Sequence, residues 1–412
     1  MNGLIPFIFT LCRWIVGGVF VFSGFVKAID PMGFQYKLFD YFEAFGLHFL
    51  MPFAIYFAVI LAVIELCIGL CLILNIRTNL AAWAVLVFMS FFTLLTFVLA
   101  LTNPVSDCGC FGDAIKLTNW QTFFKNLILL PLALLIFHWR KRTSKYVNSV
   151  KELCYVVILF AGCFVLSGYC FRHLPLLDFL PYHIGQDLSS AMATPEGAPA
   201  DQYNVTLIYE KEGTRQEFTA ENSPWQDSTW KFIESQSQLI TKGYIPLIHD
   251  FSITHPQFGD ITDSILARNN VLLLVFPKIE NCKLEQVDML RAVAAKAAAN
   301  GHTVMGLTAS LQETAQNFVQ QERLNFDFCT TDETALKTTR LYPGLMLLHQ
   351  SIIVGKWSLR DLPAPDFFDA TLLLNAINAL REQREKTVCV GALILLLLCC
   401  AVFRRQTTKN RR

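Results

Sequence analysis

Long apolar runs fill most of the first 170 residues of the chain. A helix needs about 20 mainly apolar residues to cross a bilayer, and five runs reach that length. They cover about Leu4–Val26, Pro52–Leu74, Leu80–Leu101, Trp120–Trp139 and Leu153–Cys170. A sixth run, Thr387–Phe403, is shorter but carries no charge. The pattern predicts six membrane-spanning helices, with a polar region over residues 171–386 between the fifth and the sixth.

In the polar region, apolar and polar residues alternate at the spacings that are typical of strands and surface helices. Residues 186–200 are small, polar and proline-containing, which predicts a linker, and the alternating run around the turn at residues 211–213 predicts a β-hairpin. The predicted elements after residue 244 are strand Val271–Phe276, helix Lys283–Ala299, strand Thr303–Leu307, helix Leu311–Gln321, strand Phe326–Cys329, helix Glu333–Arg340 and two closing strands. This alternation predicts an α/β sheet that ends in an antiparallel hairpin.

The composition agrees with a membrane protein. Of 412 residues, 53% are hydrophobic and 16% are charged, whereas soluble chains carry about 25% charged residues. The net charge of +1 gives no electrostatic signature for nucleic acid, and none is expected as a partner. The first apolar run lacks a basic leader and a small-residue cleavage site, so we expect it to stay as an anchor.

Basic residues collect at two places that predict the orientation of the helices. One cluster follows the fourth span and the other follows the sixth. They comprise Arg140, Lys141, Arg142, Lys145 and Lys151, and Arg404, Arg405, Lys409, Arg411 and Arg412. Because basic loops stay in the cytoplasm, both termini are expected inside and residues 171–386 outside. A role of these clusters in binding lipid headgroups is the alternative.

One charged residue lies in each of the first two predicted spans. Arg13 is in the first span and Glu65 in the second, and a charge in hydrocarbon usually finds a partner. We expect an Arg13–Glu65 ion pair, which is either structural or part of a proton or quinone site. Lys27, at the outer end of the first span, is expected to extend its amine to the membrane surface.

The stretch DCGCFG places Cys108 and Cys110 one residue apart in a turn between the third and fourth spans. The predicted orientation puts this turn outside, where disulfides form. A bond between the two sulfurs would close a small, strained ring that is easily reduced. Three interpretations stay open: redox exchange, a metal site completed by Asp107 or Asp113, and structural thiols or long-range disulfides.

The first 140 residues resemble a known family. The segments SGFVKAIDPMGF, PFAIYFAVILAVIELCIGL and DCGCFGDAIKLTNWQTFFKNLILL are similar to DoxX-like membrane proteins, and most to the MauE family. That family is linked to methylamine utilisation and to disulfide formation in a periplasmic dehydrogenase. The resemblance implies a four-helix bundle in a bacterial inner membrane, with residues 171–386 in the periplasm, and it favours redox exchange for Cys108 and Cys110.

The order of strands and helices over Tyr244–Leu380 resembles a thioredoxin fold of the AhpC/TlpA kind. The expected CxxC is incomplete, because Cys282 stands at the second cysteine's place and Ile279 at the nucleophile's. Pro343 falls at the position of the family's cis-proline, so Pro343 and Tyr342 are the expected binding residues. Cys282 precedes a predicted helix whose dipole would lower the pKa of its thiol; the alternative is that Cys282 is a relic.

Together these patterns predict five parts. They are a four-helix membrane domain at 1–145, a fifth transmembrane helix at 150–171, a linker and β-hairpin at 172–243, a thioredoxin-like domain at 244–380 and a last transmembrane helix at 387–403. No metal is assigned, because four histidines that are scattered over the outer region have no HxxxH or HExxH spacing. These histidines are His173, His183, His249 and His255.

Two functions are compatible with this organisation. The first is thiol–disulfide exchange on extracytoplasmic client proteins through Cys108, Cys110 and Cys282, with a quinone as the candidate electron acceptor. The second is a non-catalytic, membrane-tethered module that binds or assembles client proteins through a degenerate thioredoxin fold. Trapping of a mixed disulfide separates the two.

Overall fold

The computed structural model describes residues 4–389 and 391, except for residues 106, 144–148, 220–221, 242 and 283–286. Its first half has five helices that are long and apolar enough to cross a membrane, as predicted. The helices of this half are α1 Leu4–Ile29, α2 Pro31–Ala44, α3 Ala54–Leu74, α4 Thr78–Thr102, α5 Asn119–Thr143 and α6 Ser149–Arg172, with a 3-10 helix at His48–Phe53. The predicted sixth span lies outside the described residues, apart from 387–389 and 391.

Helices α1 and α3 are packed closely because small residues face each other. A Cβ added at Gly24 would collide with the backbone of Leu66, and one added at Gly69 would lie 2.6 Å from the backbone nitrogen of Val21. Such close approach of backbones is typical of helix pairs in membranes. The core between α1, α3, α4 and α5 is built from buried apolar side chains that include Val16, Leu72, Val85, Ala133 and Ile136.

The predicted Arg13–Glu65 ion pair is wrong. Glu65 pairs with Lys27 at 2.6 Å, and Arg13 donates to the carbonyl oxygen of Leu72 at 2.8 Å and to the side-chain oxygen of Asn75. Lys27 lies about four turns above Arg13 on α1, and the antiparallel helix α3 presents Glu65 at the level of Lys27. The lysine is therefore buried, at 6% exposure, instead of reaching the membrane surface.

Residues 187–251 form a compact unit of their own. Asp187 caps a short helix, α7 Leu188–Met192, and three antiparallel strands follow in the order β2-β1-β3. These strands are β1 Gln202–Lys211, β2 Thr214–Thr219 and β3 Lys231–Thr241. The predicted hairpin is confirmed as β1 and β2, whereas β3 was not predicted. Aromatic edge-to-face contacts join the strands, through Tyr209, Phe218, Trp230 and Phe232.

The other unit also contains a seven-stranded sheet of order β10-β9-β6-β7-β8-β4-β5. Its strands are β4 Thr254–His255, β5 Gly259–Asp260, β6 Val271–Phe276, β7 Thr303–Thr308, β8 Phe328–Thr330, β9 Gly344–His349 and β10 Ile352–Ser358. Strands β6, β7 and β8 are parallel, and β9 and β10 form the expected closing hairpin. All six residues of β6 are buried, so this strand is the centre of the domain.

Helices flank this sheet and complete its core. They are α8 Thr262–Leu266, α9 Val287–Ala299, α10 Gln312–Gln321 and α11 Glu333–Thr339, with 3-10 turns at Ile279–Asn281, Leu359–Asp361 and Pro365–Phe368, and residues 372–389 are also helical. Edge-to-face contacts link Phe276, Phe318 and Phe328 on one side of the sheet. The predicted α/β sheet is thus confirmed, and we call residues 252–389 the head.

Residues that follow α6 connect the head to the membrane helices. Backbone hydrogen bonds pair residues 185 and 186 with Ile353 of β10, Lys356 of β10 is buried against Asp178 at 2.7 Å, and His173 contacts Asp361 at 2.7 Å. The head therefore has several polar attachments to the chain that leaves the bundle.

Candidate functional site

The two cysteines of the DCGCFG turn lie side by side between α4 and α5. Their sulfur atoms are 2.9 Å apart, with both thiols free. The turn closes through hydrogen bonds from Gly112 N to Gly109 O, at 3.1 Å, and from Ala114 N to Phe111 O. Gly109 and Gly112 have φ angles of +63° and +53°, a region that only glycine enters without cost. The glycines thus allow the backbone to bring the two sulfurs together.

Side chains of α1 and α2 hold the carbonyl groups of both cysteines. The hydroxyl of Tyr41 donates to Cys108 O at 2.8 Å, and the hydroxyl of Ser23 donates to Cys110 O at 2.6 Å. At the start of the turn, Lys37 pairs with Asp107 at 2.8 Å. Helices α1 and α2 therefore hold the backbone of the turn in place through these contacts.

Two lysines lie near Cys110. Lys27 donates to Ser23 and pairs with Glu65, and the amine of Lys125 lies 4.3 Å from the centre of the Phe111 ring. A cavity of about 40 Å³ adjoins these groups, lined by apolar side chains and by Ser23, Lys27, Glu65, Cys110, Lys125 and Asn126. Cys110 thus borders a small, partly polar cavity within the bundle.

The two thiols have opposite tendencies to ionise. The hydrogen bond from the Cys108 thiol lowers the pKa of Cys110 to about 6, and Lys125 and Lys27 lower it further against the effect of burial and of Glu65. The same hydrogen bond and burial raise the pKa of Cys108 above its ordinary value. At neutral pH, Cys110 is therefore a thiolate and Cys108 a neutral donor, the arrangement of a reactive cysteine beside a protonated partner.

An arginine of the head reaches this site. Arg340 follows α11, and its guanidinium binds both carboxylate oxygens of Asp30, at 2.9 and 3.0 Å from Nε. It also donates to Asp113 at 3.1 Å, three residues beyond Cys110. Its side chain is only 8% exposed, and the two carboxylates raise the pKa of Arg340 despite its burial.

The predicted binding residues lie next to that arginine. The peptide bond between Tyr342 and Pro343 is cis, and the hydroxyl of Tyr36 donates to that of Tyr342 at 2.6 Å. Tyr342 and Pro343 line a cavity of about 550 Å³. Its other walls include Asp30, Cys170, His173, Arg340 and Arg360. Pro343 therefore faces a space between the head and the membrane domain.

Cys282 differs from the expectation. It lies at the end of the 3-10 turn after β6, and its thiol donates to the carbonyl oxygen of Lys278 at 3.2 Å. Burial and the neighbouring Glu280 raise the pKa of Cys282 to about 11, so the predicted lowering by a helix dipole is wrong. Among the described residues, no hydrogen bond joins Cys282 to either cysteine of the turn.

The carboxylates considered for a metal site are occupied by cations. Asp107 pairs with Lys37 and Asp113 with Arg340. Within the described part of the chain, no group of three or more His, Cys, Asp or Glu side chains is arranged to hold a metal ion. The arrangement of the turn favours chemistry of the two thiols themselves.

Comparison with known families bears on the domain that holds the turn. Residues 5–139 match the family model described as methylamine utilisation protein MauE. These residues form a MauE domain. The resemblance of this segment to the MauE family is thus confirmed, and the MauE domain contributes four of the five long apolar helices and the whole DCGCFG turn.

A second match covers the separate unit. Residues 203–242 match a domain of unknown function, DUF8463, and coincide with its three-stranded sheet. None of the curated proteins compared matches the chain. The protein is therefore a multi-pass membrane protein in which a MauE domain is followed by a DUF8463 domain and the α/β head.

Several residues of the site had not been predicted. Lys27 was expected at the membrane surface, and Tyr41 carried no recognisable signal. Lys125 is a charged residue within the fourth predicted span, a signal that was overlooked. Within SGFVK, the spacing of four between Ser23 and Lys27 places both on one helix face, which would have pointed to a polar patch. Arg340 had no such signal, because its partners are hundreds of positions away in the chain.

Proposed function

We propose that this MauE-domain protein carries out thiol–disulfide exchange through Cys108 and Cys110 on the periplasmic side of a bacterial inner membrane. The observation that carries the proposal is the pair of sulfurs 2.9 Å apart, one favoured as a thiolate and the other as a thiol. The charge distribution along the sequence supports the orientation. The order of the sheet strands supports a thioredoxin-like head.

Cys110 is the sulfur that exchanges with a partner. It is the more exposed of the two, since Cys108 is only 5% exposed, and the thiolate is the nucleophile in this chemistry. The Cys110 thiolate attacks one sulfur of a partner disulfide, and the partner's second sulfur leaves as a thiolate. Lys27 and Lys125 stabilise the anion before the attack.

Cys108 resolves the mixed disulfide. Its thiol gives up a proton and attacks the Cys110 sulfur, so that a Cys108–Cys110 disulfide forms. The partner leaves as a dithiol that has gained two electrons from the pair, the proton of Cys108 and one further proton from water. Disulfide formation in a client protein runs the same steps in reverse and leaves Cys108 as a thiol and Cys110 as a thiolate. A two-electron acceptor of the quinone class, present in the bilayer, would then take two electrons and one proton from the pair and a second proton from water.

A second candidate function is a non-catalytic binding module. It is favoured by the cavity of about 550 Å³ beside Pro343 and Tyr342 and by the raised pKa of Cys282, which argues against catalysis by the head alone. In this case a client protein would bind at the cavity without any exchange of sulfurs.

Trapping of a mixed disulfide tests the proposal. In Cys108→Ser, the resolving thiol is absent, so a partner should stay bound to Cys110 and migrate as a reductant-sensitive adduct on non-reducing gels. The double variant Cys108→Ser/Cys110→Ser should show no adduct, and Cys108→Ser/Cys282→Ser should retain it. Capture of the same client by a variant in which all three cysteines are serine would instead support the binding module.

A further inference from the structure

Arg340 contacts two different supports of the cysteine turn. One is Asp113, within the turn region itself at 3.1 Å. The other is Asp30, which caps α2 by accepting a hydrogen bond from Gly33 N. Arg340 is thus the residue through which the head contacts both the end of the turn and the start of the helix beside it.

We propose that Arg340 is a positioning residue that holds the Cys108–Cys110 turn in its closed geometry. The inference rests on the proposed function, because the turn needs positioning only if its sulfurs react. It adds a role for the head: the loop that follows α11 orders the redox turn of the membrane domain.

Helix α2 connects Asp30 to the start of the cysteine turn. Its Lys37 binds Asp107 at 2.8 Å and its Tyr41 binds Cys108 O. Arg340, which binds Asp30 at the start of α2, therefore also restrains the start of the turn through this helix. Asp113 anchors the other end. One guanidinium therefore restrains both ends of a segment whose middle holds the two sulfurs.

The chemistry requires arginine. A planar guanidinium donates in a fork to both oxygens of one carboxylate and has further N–H groups for a second carboxylate, whereas a lysine amine is a point charge without that geometry. Removal of the cation would leave Asp30 and Asp113 as half-buried carboxylates without their positive partner, which is unfavourable. Their charges would also disfavour a thiolate nearby.

The test is the pH profile of Cys110 alkylation in the full-length protein, in native membranes that are depleted of quinone and reduced beforehand, read by mass spectrometry. Arg340→Gln should raise the midpoint of the profile by about one pH unit, and Arg340→Lys, which keeps the charge and is the milder change, should give a smaller rise. The matched control is Asp361→Asn. It removes another ion pair between the head and the chain after α6, with His173, and should leave the midpoint unchanged.

Two outcomes would contradict the positioning role, and a third would contradict the proposed function. Equal midpoints in the unaltered protein and both Arg340 variants would overturn the positioning role. An equal shift in Asp361→Asn would also overturn it, since any loosening of the head would then suffice. A Cys110 that is not alkylated below pH 8 in the unaltered protein would instead overturn the proposed function, whatever the Arg340 variants do.

Discussion

At the scale of single residues, the site is defined by a difference between two adjacent thiols. Cys110 receives the hydrogen bond of Cys108 and lies near two lysines, whereas Cys108 is enclosed and keeps its proton. Neither cysteine would have this character alone, because burial by itself raises the pKa of a thiol. The short spacing and the two glycines are what convert two ordinary cysteines into an unequal pair.

Alkylation at controlled pH should distinguish Cys110 from Cys282. With a pKa of about 6, Cys110 loses its thiolate as the pH falls, so its rate should be about tenfold lower at pH 5 than on the plateau above pH 7. Cys282, with a pKa of about 11, should react about a hundredfold more slowly than Cys110 at pH 7, because its small thiolate fraction outweighs its greater basicity. Equal rates at pH 7 would contradict the unequal environments.

At the scale of elements, the close pairing of α1 and α3 determines which side chains meet at the site. Glycines at the helix contact bring the backbones together, and this places Lys27 of α1 at the level of Glu65 of α3. Ser23, one turn before Lys27, then reaches the carbonyl of Cys110. The polar cluster below the turn is thus a consequence of helix packing.

Substitution of the glycines tests this packing. Gly24→Ala places a methyl group against the backbone of Leu66 and should destabilise the protein by about 1–3 kcal/mol, as overpacking does, and should also reduce the reactivity of Cys110. Gly18→Ala is the matched control on the same helix, since nothing lies within 4 Å of a Cβ added there. Thermal unfolding in detergent measures both variants, and similar losses of stability would contradict the assigned helix contact.

Some elements could be predicted from local sequence and others could not. The strand Val271–Phe276 was predicted with its correct bounds, because six consecutive apolar residues suit a strand buried on both faces. Strand β3, with sequence KFIESQSQLIT, was missed because polar residues dominate it and its pairing with β1 fixes it. The ion pair of Glu65 was misassigned because hydropathy gives only a rough depth of a residue in the membrane. It does not show which residues of two neighbouring helices lie at the same level.

At the scale of the whole molecule, the head and the MauE domain meet beside the turn that holds Cys108 and Cys110. Arg340 and Asp30 are 310 positions apart in the chain, and Tyr342 and Tyr36 are 306 apart. Contacts between such distant positions leave no local pattern in the sequence. The sequence could therefore indicate the turn and the loop at Pro343 as separate features, but not that they lie next to each other.

The redox state of the turn in native membranes tests the central claim most directly. Thiols are blocked with one alkylating reagent, disulfides are reduced and labelled with a second, and the peptide that contains Cys108 and Cys110 is analysed by mass spectrometry. We expect the pair to be mainly in the dithiol form when quinone is depleted and to become a disulfide when a quinone is added. Two thiols that stay free under both conditions, with the protein intact, would contradict the account.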